Sequence, residues 1–353
     1  MIFYSYIFNI ISIFDLKMKF IISIVYFGLF SFLFFSCNDF INKKKTISGY
    51  SFGTSFLIQY EGKNNNDIII KNKIDSLFNI INNSFSTYIS DSDISKINLG
   101  DSLLIVDNHF KKVFLKSYDI WKLSEGYFDP TVGSMVNAYG FGPGKKIKNF
   151  SQKQLDSLIK LTGFSKVSLT SKGTIKKKFS NIYLDFNAIG KGYTVDLISE
   201  LLNSFSIKNF LIEIGGEIIA KGKNPNTGNF WKVAIDNPNQ KKNRQFIRTV
   251  LLKNKALATS GNYRKFRFDS LTGNKYVHTI NPKNGKSFQS KILSVSVIAS
   301  DCITADAWAT ALMIMPIELS KSVIESIKDV DAYWVLSNKT GFYEIFSSNW
   351  PDS

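Results

Sequence analysis

Cysteine and histidine are scarce in this sequence, at two residues each among 353. Two cysteines, Cys37 and Cys302, are too few for the disulfide framework of a small secreted scaffold. Acidic residues are in deficit as well, 28 against 44 Lys and Arg, for a formal net charge of +16. Such a surplus suits nucleic acid, an anionic membrane surface or a phosphorylated ligand. No helix-turn-helix, RRM or finger pattern is present, so nucleic acid is not the expected partner. The lysines are scattered or lie in short runs such as Lys43–Lys45 and Lys176–Lys178, among many Asn and Ile residues. Long internal repeats are absent, as are a P-loop and a dinucleotide fingerprint. No linker is long enough to divide two independent domains. What is abundant is apolar matter, 44% hydrophobic and 14% aromatic. That content suits one large domain, or two lobes sharing a core.

Lys17 and Lys19 precede the apolar run Phe20–Phe35, which is followed by Ser36 and Cys37. A charged start, an apolar core and a small residue before the cut are the parts of a secretory signal. The "FFSC" at its end resembles a bacterial lipobox, whose cysteine is lipidated and becomes the new N-terminus. The alternative is a transmembrane anchor, since the run approaches spanning length. Met18 is the expected start, with residues 1–17 an upstream extension. The expected organisation is a signal with lipobox over 1–37, a polar tether over 38–47 and a folded domain over 48–350.

Along that domain, "GYSFGTSFLIQYEG" alternates apolar and polar residues and predicts a first strand. Helical spacing occurs over 67–83, 108–124 and 151–160, with "SFSTYISDSDISKIN" and "SEGYFDPTVG" as loops. "NIYLDFNAIGKGYTVDLISELL" predicts a strand, a tight turn and a helix from Tyr193, and "NFLIEIGGEIIAKG" and "FWKVAIDNP" successive strands. Strands at 247–258, 275–281 and 293–299, a helix at 302–315 and a closing helix with strands complete the chain. Without regular βαβ alternation, the class is α+β.

The chemistry-bearing residues begin in "SDCITADAWATAL", where Asp306 and Thr310 share one face of an alanine-rich helix. A buried carboxylate needs a cation or donors, and no Lys or Arg occurs between Asp301 and Met315. In "LDFNAIGKGYTVD", Gly190 and Gly192 flank Lys191 at a helix entrance, where N–H groups and a point charge suit phosphate. Asp129 in "GYFDPTVG" reads as a turn residue accepting backbone N–H bonds. The glycine pair of "IEIGGEIIAKG" reads as a bulge or a close backbone approach. His278 lies in a strand pattern, and His109, near Lys111 and Lys112, is expected at the surface.

Taken in order, "FGTSF", "FSTYISDSDISKIN", "GYFDPTVGSMVNAYGFG", "LDFNAIGKGYTVD", "IEIGGEI", "WKVAIDNP", "ATSGNYRKF", "VHTINPKNGKS" and "VSVIASDCITADAWATAL" resemble the ApbE family of flavin transferases. Its members are FAD:protein FMN transferases, and the resemblance spans about residues 48–347. It implies an ApbE-like (T-fold-like) α+β architecture of mixed sheets with packed helices, in one globular unit of two intimately packed lobes.

It further implies a Mg2+ ion held by Asp306, Thr310 and the Ala188 carbonyl, all hard oxygens as that ion prefers. Tyr127, Phe128, Asp129, Asp185, Lys191 and Ile280 match positions that line the FAD. Tyr88 sits where an aromatic packs on the isoalloxazine, and Phe52 where Met is frequent. FMN would pass from FAD to a Thr or Ser hydroxyl, releasing AMP, with His278 or Asp306 as the base. The implied acceptors resemble subunits of membrane redox pumps or extracytoplasmic electron carriers. The lipobox agrees with an extracytoplasmic, lipid-anchored location on a bacterial membrane. Two alternatives use the same residues: a Mg-dependent FAD pyrophosphatase, and a lipoprotein that binds FAD without turnover.

Overall fold

The protein is described by a computed structural model covering Met18 and residues 43–62, 66–147, 151–240, 243–263, 266–268, 275–287 and 290–351. Cys37, the rest of the expected signal apart from Met18, and residues 38–42 of the expected tether lie outside the described residues. No described helix is long and apolar enough to cross a membrane.

Strands β1 (Lys43–Ser51) and β2 (Thr54–Gly62) form an antiparallel hairpin. The strand expected over residues 49–62 is therefore two, and residues 43–47, expected to be tether, belong to an edge strand. The turn residues Phe52 and Gly53 both have positive φ, 52° and 69°. Such a two-residue turn matches the right-handed strand twist. Helix α1 (Asp67–Phe85) follows and buries Ile70, Ile74, Phe78, Ile81 and Phe85 at helical spacing. The polar stretch after it, expected to be loop, holds α2 (Asp93–Leu99). Its cap is Ser92, whose hydroxyl accepts from Ser95 N, and it ends at Gly100 with φ 112°.

Helix α3 (Asn108–Leu123) is capped by Asp107 and ends where the 126–133 loop begins. A short α4 (Gly133–Tyr139) and α5 (Gln152–Leu161), the latter opened by a Ser151–Gln154 capping box, come next. A small hairpin of β3 (Val167–Leu169) and β4 (Ile175–Lys177) precedes the 182–186 segment. That segment, expected as a strand, makes a single bridge from Tyr183 to Val132. Helix α6 (Gly190–Ser204) begins three residues before Tyr193, its expected start.

Strands β5 (Phe210–Ile214) and β6 (Glu217–Lys221) turn on Gly215-Gly216, with φ 61° and 102°. The glycine pair is thus a hairpin turn and not a bulge, while the close backbone approach, the other reading of the sequence, is present, Gly215 N lying 3.1 Å from Ser55 O. Hairpin β7 (Trp231–Asp236)–β8 (Phe246–Leu252) is followed by β9 (Ala256–Gly261) in a different sheet. The single strand expected over 247–258 is broken near Asn254, at φ 59°. The short pair β10 (Phe266–Phe268) and β11 (Lys275–Val277) leads to β12 (Ile292–Ala299). Helices α7 (Cys302–Leu312) and α8 (Ile317–Ser326), then β13 (Asp331–Ser337) and β14 (Phe342–Phe346), close the fold.

Eight strands form one sheet in the order β1-β2-β5-β6-β9-β12-β13-β14, and each neighbouring pair is antiparallel. The expected mixed sheets are therefore antiparallel, because hairpins and helical excursions return the chain beside itself in the opposite sense. The two faces of this sheet carry two apolar cores. The larger takes in α1, α3, α6 and α7, and the smaller lies beneath β7–β8 and Trp350. Strand alternation divides the residues between them: Ile212 and Ala258 join the larger core, Leu211 and Leu257 the smaller.

Candidate active site

Helix α7 is nearly all buried, and its alanines let α6, β9 and β12 approach closely. Its first turn has three donors that need acceptors. Asp301 takes Thr304 N at 3.0 Å, while Asp196 of α6 takes Cys302 N and Ile303 N, both at 2.8 Å. Burial, reinforced by Asp301 and Glu200, pushes the Asp196 carboxyl up to about 7 against the pull of those two N–H bonds.

The clasp is reciprocal. Gly192, in the first turn of α6, donates its N–H to Asp306 Oδ2 at 2.9 Å. Asp306 is only 3% exposed, so one partner that its burial demanded is a backbone donor at a helix N-terminus. The two helices run antiparallel here, with no room for a side chain at residue 192. A Cβ there would sit 2.3 Å from the Cys302 carbonyl oxygen and 2.7 Å from Asp306 Cβ. The first helical bond of α6 is Tyr193 N to Ile189 O, at 3.1 Å. The Ala188 carbonyl thus stands just ahead of the helical ladder, four residues before the Gly192 that meets Asp306. Thr310, one turn beyond Asp306, has its hydroxyl 3.4 Å from Ser260 Oγ of β9.

Lys191, beside Gly192, is ion-paired to Glu217, the first residue of β6, which is 3% exposed. Glu217 was not singled out from the sequence, where attention fell on the glycine pair before it. The buried Cys302 thiol lies within the field of these groups. Burial pushes it up, Asp196, Asp306 and Glu217 add to the rise, and Lys191 opposes it.

The other expected residues surround this junction. Asp185 accepts Asn187 N at 2.8 Å, which shapes the turn leading to Ala188, and its own N–H reaches Pro130 O at 2.8 Å. The second bond ties this turn to the 126–133 loop. In that loop Asp129 is buried and accepts Thr131 N at 2.8 Å, Thr131 Oγ1 at 2.5 Å and Phe164 N at 3.0 Å. Both carboxylate oxygens therefore hold the loop, as the turn reading expects, and burial pushes the acid upward despite these bonds. Phe128 is buried, and Tyr127, half-buried, carries Lys283 Nζ 4.0 Å from its ring centroid.

His278 follows β11 with its ring 6.4 Å from that of Phe141, and Tyr88 O–H donates to the Phe141 carbonyl at 3.3 Å. Tyr88 is 59% exposed, and its phenol is pushed up by burial of part of the ring and by Asp185 and Tyr183 nearby. Thr279 donates to Asn262 Oδ1 at 3.0 Å, which fastens the His278–Ile280 segment to the end of β9 two residues beyond Ser260. Ile280 is buried and bridges Ser287. Phe52, at the tip of β1–β2, packs edge-on against Phe78 at 5.5 Å. His109, expected at the surface, is half-buried, its Nδ1 2.8 Å from Tyr193 Oη.

The structure thus groups Ala188, Lys191, Asp306 and Thr310 where α6, α7 and β9 meet, with Asp185 on the turn before Ala188. A contact chain through Ser260, Asn262, Thr279, His278 and Phe141 runs from Thr310 to Tyr88. A separate cavity of about 280 Å³ on the other sheet face, lined in part by Gln59, Glu213, Asp236 and Arg244, includes none of these residues. A carboxylate, a hydroxyl and a carbonyl form a hard donor set with one charge. That fits a Mg2+ ion, which keeps waters and shares phosphate oxygens and does not need an all-protein cage. Among the described residues no group of three or more His, Cys, Asp or Glu could hold a metal.

Helices on an antiparallel sheet, with a helix N-terminus and a lysine beside hard oxygen donors, define an α+β protein built to handle a phosphate ester. The comparisons name the family. The chain belongs to the ApbE family, whose profile matches residues 52–334. It is 31% identical over 313 residues to the FAD:protein FMN transferase of Haemophilus influenzae, covering 86% of this chain and 89% of that protein. To the protein of the same name from Vibrio cholerae it is 32% identical over 308 residues, covering 86% and 90%. Among solved structures, the flavin transferase ApbE from Vibrio cholerae superposes with a TM-score of 0.77 at 31% identity, covering 87% of this chain and 97% of that one. The apo flavinyl transferase ApbE of Pseudomonas stutzeri gives a TM-score of 0.76 at 26% identity, covering 87% and 95%.

Proposed function

We propose that this chain transfers FMN from FAD to a Ser or Thr hydroxyl of an acceptor protein and releases AMP; its relatives are named FAD:protein FMN transferases. The observation that carries the reading is the Gly192–Asp306 contact at 2.9 Å, which sets a buried carboxylate against a glycine-flanked helix N-terminus beside Lys191. In the reaction the acceptor oxygen bonds to the FMN-side phosphorus. The bond from that phosphorus to the bridging oxygen breaks, and AMP leaves with the bridging oxygen. Lys191 receives phosphate oxygens. His278 takes the hydroxyl proton, with Asp306 the other candidate. Tyr88, exposed and tied to Phe141, offers its ring to the isoalloxazine. Asp306, Thr310 and the Ala188 carbonyl are the residues that would hold Mg2+. When bound, that ion supplies neutralisation of the pyrophosphate charge.

The same proposal places a lipid on Cys37 and the folded part outside the cytoplasm, at a bacterial membrane, on the strength of the "FFSC" sequence. Its acceptors are then extracytoplasmic electron carriers or subunits of membrane redox pumps. The test incubates the chain with FAD, Mg2+ and a candidate acceptor, reading the acceptor's intact mass and released AMP together. A mass gain of one FMN phosphoester with stoichiometric AMP, both lost in Asp306→Ala, is expected. AMP without any mass gain, across several acceptors, would replace transfer by hydrolysis.

A further inference from the structure

The ion pair between Lys191 and Glu217 joins two parts of the chain that serve no shared secondary structure. Lys191 is the second residue of α6, and Glu217 opens β6 immediately after the Gly215-Gly216 turn. That turn is itself held in place: Gly215 N donates to Ser55 O at 3.1 Å, and a Cβ on Gly215 would meet Thr54 Cγ2 at 2.7 Å. The start of β6 is therefore tied to β2. Strand alternation sends Glu217 and Ile219 to the helix face, while Ile218 lies against the smaller core. A carboxylate on this buried face is costly unless it is paired. Lys191, 29% exposed at its side chain, reaches in to Glu217 from the edge of the site. The ammonium is thereby held on β6, while the Lys191 backbone lies in the helix turn whose Gly192 donates to Asp306.

We propose that Glu217 is a positioning residue: it fixes Lys191 so that its charge stands beside Asp306 at the N-terminus of α6, ready for the substrate's phosphates. This rests on the transfer reaction proposed above. A flexible lysine loses side-chain rotamer entropy when a ligand orders it. A lysine already ordered by a buried carboxylate escapes most of that loss on binding. Glu217 contributes this without touching the substrate, so its influence should vanish when Lys191 is absent.

That condition defines the experiment, a double-mutant cycle of Glu217→Gln, Lys191→Met and the pair in the full chain. FAD binding is followed by quenching of flavin fluorescence. KM for FAD and kcat are followed by AMP release with acceptor, and unfolding temperature is recorded for every variant. Glu217→Gln is expected to raise KM for FAD about tenfold with a smaller change in kcat. The double variant should be no worse than Lys191→Met alone, and Glu217→Asp should recover part of the loss. Effects that multiply across the two positions, or a Glu217→Gln chain with unchanged KM, would overturn the proposal while leaving transfer intact. So would a KM change that tracks loss of folded protein and is not rescued by Glu217→Asp. A wild-type chain that neither binds FAD nor releases AMP would overturn both this proposal and the transfer reaction beneath it.

Discussion

Replacing Gly192 by alanine sets two effects of opposite sign against each other. Alanine is the better helix former by about 1 kcal/mol, so propensity alone predicts a more stable protein. Packing predicts the reverse. The new Cβ would lie 2.3 Å from the Cys302 carbonyl oxygen, 2.8 Å from its carbon and 2.7 Å from Asp306 Cβ. Two of those atoms are backbone in a helix turn whose N–H groups are pinned by Asp196 at 2.8 Å. Neither helix can yield cheaply, and forced overpacking of this kind costs about 3 kcal/mol at the upper end of its usual range. The net expectation is a loss of about 2 kcal/mol, a fall of several degrees in Tm for a domain of this size. Parting α6 from α7 also lengthens the Gly192–Asp306 bond and should lower FMN transfer more than tenfold in protein that is still folded. Denaturant unfolding and transfer rate, measured on the same preparation, decide the matter. A variant as stable as the parent and equally active would refute the close-packed clasp.

Other consequences can be checked separately. The folded Asp196 carboxyl stands at about 7, above its ordinary 3.8, so the folded chain holds a proton in that window that the unfolded chain has released. Its contribution to stability is fully present below about pH 4 and is lost as pH rises through about 7, with a slope of at most ~1.4 kcal/mol per pH unit. Asp196→Asn should flatten that part of the stability–pH curve, as read by urea midpoints at successive pH values. Asp129→Ala strands the N–H groups of Thr131 and the buried Phe164 and should cost about 3 kcal/mol, measured by thermal unfolding. Phe52→Asn puts a residue suited to left-handed φ into the β1–β2 turn but removes the ring contact with Phe78. Stability should then stay within about 1 kcal/mol of the parent. Removing divalent cations with a chelator should abolish AMP release, and excess Mg2+ should restore it in the parent but not in Asp306→Ala.

Much of this protein is legible in its sequence because the relevant physics is local. Apolar residues at helical spacing mark 67–83, 108–124 and 151–160, within two residues of the helices found, and the caps at Asp107 and Ser151 sit at or just before the start of each pattern. The alanine-rich 302–312 helix and its Asp306–Thr310 pair are visible for the same reason, since a four-residue step needs no knowledge of the rest of the chain. The glycine-flanked lysine at 190–192 and the ordered motifs point to a phosphate site before any coordinates are considered. Even some errors are local in origin. A two-residue turn preserves the alternation of a strand, so Phe52-Gly53 and Gly215-Gly216 pass for strand interior.

What the sequence could not decide on its own is who satisfies whom. Asp306 meets Gly192 across 114 positions of sequence, and Asp196 reaches Cys302 across 106. Each of those carboxylates needs a donor, but donors are identical along any backbone, and only the antiparallel seating of α6 on α7 selects one. The same holds for Glu217, an ordinary acid in a strand until the sheet turns it inward to Lys191. Residue types and short periodicities determined the elements and the kind of chemistry. The tertiary structure alone decided the pairings, because burial removes water as the alternative partner and leaves each charge to the neighbour that packing supplies.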